Sequence, residues 1–133
     1  MHEILFRGKR VDNGKWVEGY YSNLGGNSPR ILKENIFIGK RGRVLEFENI
    51  KVLYKTVGQY TGLTDKNGVK IFEGDIVDIL TENEEIGVIT YDEGGFVVKA
   101  DGFCVDFHNN INGTDLEVIG SIHDNPELLK DQL

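Results

Sequence analysis

QYTGLTDKNGVKIFEGDIVDIL, residues 59–80, is the most patterned stretch of the chain. Its first punctuation is Asp65-Lys66-Asn67-Gly68. An Asp at the head of such a run accepts backbone N–H bonds, and Asn-Gly lets the chain reverse. Ile71 and Phe72 then supply apolar side chains, and Glu73-Gly74-Asp75 forms a second, tighter punctuation. Ile76, Val77, Ile79 and Leu80 follow as a strand rich in β-branched residues. The stretch therefore reads as a folding device: two turns that launch a central strand. Asp65, Asn67, Gly68, Gly74 and Asp75 are its structural residues, and Gly74 is expected at positive φ.

The order apolar-x-x-Gly-Asp-apolar-apolar-x-apolar resembles the diverging turn that opens a strand in SH3-like small barrels. There the glycine permits a sharp turn and the aspartate braces it. The Leu-Tyr-Asp-Tyr run of peptide-binding SH3 domains does not occur in this chain. The resemblance thus concerns barrel architecture and not the binding of proline-rich peptides.

Outward from this stretch the chain reads as short strands between turns. Residues 3–21 form a hairpin around Asp12-Asn13-Gly14, in which a type I′ turn is expected. Ile4, Phe6, Trp16 and Tyr20 are the candidates for its buried face. Residues 22–29, SNLGGNSP, are a Gly-rich loop. Residues 30–39 and 43–54 are two strands joined by the basic tip GKRGR, with Ile36 and Ile38 alternating with Phe37. Leu45 and Phe47, with Ile50 or Val52, make up the apolar set of the second strand. TENEE, 81–85, is an acidic loop, and residues 86–102 are a second hairpin turning at Asp92-Glu93-Gly94-Gly95. Phe103, Val105 and Phe107 alternate with Cys104, Asp106 and His108, and a last strand covers 116–122. Asn125 and Pro126 signal the start of a short C-terminal helix over 124–133.

Composition fits this picture. The 133 residues suit one domain, with possible sub-lobes at 1–55 and 56–133. Seventeen glycines and two prolines favour many turns over an all-helical chain. Hydrophobic residues at 39% and charged residues at 28% allow a buried core and a polar surface. No apolar run approaches the roughly 20 residues that span a bilayer, and MHEILFRGKR lacks the pattern of a secretory signal. The single Cys104 forms no internal disulfide, which suits a reducing compartment. The bacterial cytoplasm is the expected location, with no membrane contact.

The net charge of −7 is unevenly distributed. Residues 1–60 carry 11 Lys and Arg against 6 Asp and Glu, whereas residues 61–133 carry 4 against 16. Either the basic half meets an acidic partner, or the two halves complement each other within or between copies.

Four segments carry a resemblance to a known family: ILFRGKRVDNGKWVEGYY, TVGQYTGLTDKNGVKIFEGDIV, GVITYDEGGFVVK and LEVIGSIHDNPELL. On these segments the chain resembles the YopX family of phage- and prophage-encoded proteins. The second and last segments are the specific ones. Gln59-Tyr60-Thr61-Gly62-Leu63, Asp65 with Asn67-Gly68, and Gly74-Asp75 fall where the family pattern has them. The loops at 22–29 and 39–49 have no match. The segments cover about half the chain. The resemblance implies a phage origin and brings no catalytic residues.

Several chemistries can be tested against spacing. A calcium loop needs Gly at position 6 and Glu at position 12. Counted from Asp65, Gly68 falls at 4 and Glu73 at 9, so the register fails. Cys104, Asp106 and His108 share a strand face, with His2 and His123 elsewhere. Strand rise separates 104 from 108 by about 13 Å, and no Cys-x-x-Cys exists, so a zinc site is not expected. Asp92 and Glu93 sit at a hairpin tip, where solvent keeps carboxylates ordinary. No nucleophile elbow, phosphate loop or His-Glu-x-x-His occurs.

The reading that results is a mainly β chain, an SH3-like or partly open antiparallel barrel with a short C-terminal helix. It leans away from an enzyme, with no catalytic residue, metal or cofactor. The expected function is that of a phage accessory protein acting by protein interaction and self-assembly, with a homo-oligomer and a host or phage protein as partners. The alternative is a nucleic-acid-binding module using Arg7, Lys9, Arg10 and Lys15 on the first hairpin and Lys40, Arg41 and Arg43 on the basic tip.

Overall fold

The computed structural model describes residues 4–23, 26, 28–80, 85–92, 94–100, 103–107 and 112–132. His2, Glu93, His108 and most of the acidic loop 81–85, all singled out above, lie outside the described residues. The chain divides into two compact units, one running to Gln59 and one from Tyr60 to the end.

The first unit contains β1 (Phe6–Lys9), β2 (Trp16–Ser22), β3 (Arg30–Gly39) and β4 (Gly42–Lys51). They are hydrogen-bonded antiparallel in the order β4-β3-β2-β1. Strand β5 (Gly58–Thr64) crosses the unit boundary. Its residues Gly58 and Gln59 pair with Arg7 and Phe6. The core is Val17, Ile31, Ile50 and Val52, with Phe6, Tyr21 and Val57 packed against it.

This core corrects the expected buried face of the first hairpin. Phe6 lies inward as read, but Trp16 and Tyr20 lie on the opposite face from Val17 and Tyr21, and Ile4 is exposed. Glycines hide the true alternation. Gly8 and Gly19 take core-side positions, and a Cβ on Gly8 would meet the Val52 side chain at 3.1 Å. The turn also differs. Arg10 N–H is not the donor that closes it at two residues: Gly14 N–H donates to Arg10 C=O, and Arg10 N–H donates to Lys15 C=O. A six-residue loop therefore replaces the two-residue type I′ turn.

The second unit contains the rest of β5, β6 (Lys70–Phe72), β7 (Asp75–Ile79), β8 (Glu85–Asp92), β9 (Gly95–Ala100), β10 (Phe103–Asp106) and β11 (Leu116–Ser121). Five of these strands form an antiparallel sheet in the order β10-β9-β8-β7-β11. β6 pairs with β5 through Tyr60 and Thr64. Ile71, Val77, Ile79, Ile89, Val98 and Leu116 make the core. β7 lies inside the sheet, paired on both edges, with Ile76, Val77 and Ile79 buried and Asp75 buried beside them.

The strands form two open antiparallel sheets and no closed barrel, so of the expected SH3-like or partly open barrel the mainly β, antiparallel character is present. An isolated bridge from Arg10 to Val52 ties the end of β1 to the segment after β4 without building a continuous ladder. Nor does an α-helix form among the described residues. Pro126–Gln132 winds as a 3₁₀ helix. Leu128 N–H reaches back three residues to Asn125 C=O, and the Asn125 side chain accepts from Ser121 N–H instead of capping a helical turn. No helix among the described residues is long and apolar enough to cross a membrane.

Candidate functional site: the β3–β4 ribbon

β3 and β4 pair residue for residue from Arg30–Lys51 to Gly39–Gly42, closing on the two-residue tip Lys40-Arg41. Gly42 at φ +112° makes the tight reversal. β2 supports only the first three residues of β3, through Tyr20, Tyr21 and Ser22. The remainder of β3 and β4 is a two-stranded ribbon.

Strand alternation sorts its side chains onto two faces. One face starts from the core at Ile31 and Ile50 and then opens to solvent, with Lys33 opposite Glu48, Asn35 opposite Glu46, and Phe37, 46% exposed, opposite Val44. The other face carries Leu32 opposite Asn49, Glu34 opposite Phe47, Ile36 opposite Leu45, and Ile38 opposite Arg43. Tyr20, paired with Leu32, joins this outer face and meets Phe47 edge-on, ring centroids 6.1 Å apart.

The outer face is apolar and uncovered. Ile36 is 53% exposed, Ile38 85%, Leu45 54%, Phe47 51% and Tyr20 49%. Single exposed apolar residues are ordinary, and a contiguous exposed set on one face makes this face a candidate interaction surface. Period-2 alternation revealed which of these residues share a face. It could not reveal that the face has no cover, and the expected apolar set of β4 is split accordingly: Ile50 and Val52 are buried, Leu45 and Phe47 are not.

The seven basic residues of the alternative reading do not gather. Arg7 and Lys9 share the Trp16 ring, at 4.3 and 5.4 Å from its centroid, so the indole already has cations against it. Arg10 grips Asp12 through two 2.9 Å bonds. The Asp12 hydrogen bond raises the guanidinium's pKa, and the same bond lowers that of the carboxyl. Lys15 lies in the exposed turn. Arg10 pairs with Val52, just past β4 and ten residues from Gly42, so at about 3.3 Å per residue the tip lies roughly 30 Å further along. Lys40, Arg41 and Arg43 form their own exposed cluster, with Glu34, Glu46 and Glu48 in the stem below them.

The turn residues of the second unit are arranged differently. Asp65 is buried, and its carboxylate accepts N–H bonds from Asn67 (2.8 Å), Val69 (2.9 Å) and, 53 residues away, Val118 (2.9 Å). Burial pushes its pKa up, but the three N–H bonds and nearby Lys66 outweigh that and leave it lowered. Gly68 and Gly74 take φ of +80° and +92°. Gly74 N–H donates to Ile89 C=O, Gly74 C=O accepts from Ile122 N–H, and Asp75 accepts from Phe72 N–H at 2.7 Å. Cys104 is exposed, and no group of three or more His, Cys, Asp or Glu among the described residues could hold a metal ion.

A chain of two small open β units with paired acid-braced turns matches the family described as YopX protein over residues 5–130, and it belongs to that family. Among solved structures it is similar to the crystal structure of protein EF1440 from Enterococcus faecalis, at 26% identity and a TM-score of 0.65. That similarity covers 98% of this chain and 100% of the other. No curated protein matches.

Proposed function

We propose that this YopX-family chain is a non-enzymatic, phage-encoded accessory protein that acts by binding other protein, itself included, through the β3–β4 ribbon. The observation that supports this reading is the exposed outer face of Tyr20, Ile36, Ile38, Leu45 and Phe47. Water is a poor neighbour for such a surface, and burying it against a partner is favourable by about 25 cal/mol per Å². Asp65 and Asp75, the buried acids of the 65–75 turns, are engaged with backbone N–H groups, a structural use.

A second reading, nucleic-acid binding, is favoured by one feature: a two-stranded ribbon ending in Lys40, Arg41 and Arg43. A ribbon of this width fits a DNA groove. The scattered positions of the other four basic residues and the three acids in the stem weigh against it.

Light scattering after size exclusion, at several loading concentrations and at low and high salt, tests the proposal. The expected result is a mass that rises above one chain with concentration. A single-chain mass at every concentration removes self-assembly. Salt-sensitive retention of duplex DNA by such a monomer moves the function to the second reading.

A further inference from the structure

The outer face of the ribbon has a polarity that specifies its partner. Its apolar centre is the Ile36–Leu45 row. One row toward the base lies Glu34 beside Phe47, and one row toward the tip lies Ile38 beside Arg43. Glu34 and Arg43 are both exposed. They are two rows apart on one face, so the face carries an acid and a base placed symmetrically about an apolar row.

Resting on the self-assembly reading above, we propose that two copies dock these faces on each other, antiparallel, about a two-fold axis through the Ile36–Leu45 row. Sheets packed face to face cross at about −30°, with side chains of the two faces interleaved. In this register the Glu34–Phe47 row of one copy lies over the Ile38–Arg43 row of the second copy. The two-fold sets β3 over β3 and β4 over β4, so each Arg43 stem crosses the Phe47 ring of the other chain and its guanidinium reaches Glu34 diagonally, about one strand spacing away, while Ile38 lies beneath that Glu34. The two-fold repeats the arrangement, giving two ion pairs that flank one apolar centre. Parallel docking sets the Arg43 rows of both copies together. An antiparallel register shifted by one row buries Glu34 over Ile36 without a cation. Charge therefore selects one arrangement out of these three.

Size sets the strength. A face about 30 Å long and two strands wide covers roughly 300 to 400 Å² per copy, under half of the ~800 Å² per partner in a standard interface. The dimer should dissociate on dilution.

The test is sedimentation velocity on Glu34→Arg, Arg43→Glu and the double variant, each alone, and on the two single variants mixed. Both positions are exposed, so the monomer fold is retained. Each single variant sets like charges against each other twice, and self-association should weaken at least tenfold. The double variant should recover it to within about threefold. Most tellingly, the Glu34→Arg and Arg43→Glu chains, each monomeric, should form a heterodimer when mixed, because every cross pair is then of opposite sign. A wild-type dimer indifferent to these changes, or a mixture that stays monomeric, overturns the docking register while leaving self-assembly intact. A wild type that is monomeric throughout overturns both.

Discussion

Two regions of this molecule treat charge and apolar surface in opposite ways. In the turns at 65–75 the acids are buried and hydrogen-bonded: Asp65 and Asp75 are almost wholly enclosed and accept N–H bonds from backbone on several strands. In the ribbon the apolar residues are exposed and the charges stand in solvent. A turn that ties Val69 to Val118 helps make the fold, because its Val118 bond joins segments 53 residues apart in sequence while the others close the turn locally. A ribbon supported by β2 at only three residues adds little to the fold and presents surface. The difference separates residues kept for architecture from residues available to a partner, and it makes the contrast breakable by substitution.

The largest effect is expected at Asp65. Asp65→Ala removes the acceptor of three N–H groups, those of the exposed Asn67 and Val69 and the half-buried Val118, and should cost about 3 kcal/mol, at roughly 1 kcal/mol for each bond lost. Urea unfolding measures this, and a loss under 1 kcal/mol would deny the turn its bracing role. The same carboxylate sets a pH dependence. Its folded pKa lies below the unfolded value, which is near 3.9. Its contribution is therefore full above about pH 4–5 and is lost as pH falls through the folded pKa. Stability of the wild type should fall below pH 4 more steeply than that of Asp65→Asn, which has no proton to take up at this site.

Gly74→Val comes next. Its φ of +92° is strained for any side chain and worst for a β-branched one. The loss should be about 2–3 kcal/mol, visible as a lowered urea midpoint. Space is not the cause, since the nearest atom to an added Cβ is His123 Nε2 at 3.5 Å. Gly74→Ala should consequently lose part of the same stability through φ alone. An unchanged midpoint in both variants would show that the turn tolerates another backbone path.

How much of this was legible in sequence depends on what the residues announce. Asp65, Gly68, Gly74 and Asp75 are residue types whose geometry is local, and turns 65–68 and 73–75 could be read directly. The strand pairs β3–β4 and β8–β9 were legible for the same reason, from tight two-residue turns at Lys40-Arg41 and before Gly95. The first hairpin was misread because Gly8 and Gly19 occupy core-side positions where the eye seeks a large apolar residue. The long-range partner of Asp65, Val118, leaves no trace in either segment. The division of the strands between two open sheets was not legible, because it depends on which edges meet and not on strand content. The candidate site was half legible. Alternation placed Ile36, Ile38, Leu45 and Phe47 on strands, and only the extent of β2 decides that their face is bare.

The smallest effect on stability is expected in the ribbon, and its smallness is the point. Changing Lys40, Arg41 and Arg43 together to Glu should alter unfolding free energy by no more than about 0.5 kcal/mol per site, the range of exposed substitutions. The three side chains are exposed and have no part in the Val17, Ile31, Ile50 and Val52 core. Ile36→Ser should behave likewise in the monomer, since a side chain already half in water loses little burial. Ile31→Ala, five residues earlier on the same strand but fully buried, should cost 2–5 kcal/mol. Thermal unfolding in dilute solution, where copies are apart, makes this comparison within one strand. If Ile36→Ser destabilises the monomer as Ile31→Ala does, the outer face is part of the core of a single chain and offers nothing to a partner. If it is silent there and lowers self-association at high concentration, the strand is divided as the exposures indicate: a root that holds the fold and a ribbon that holds the second copy.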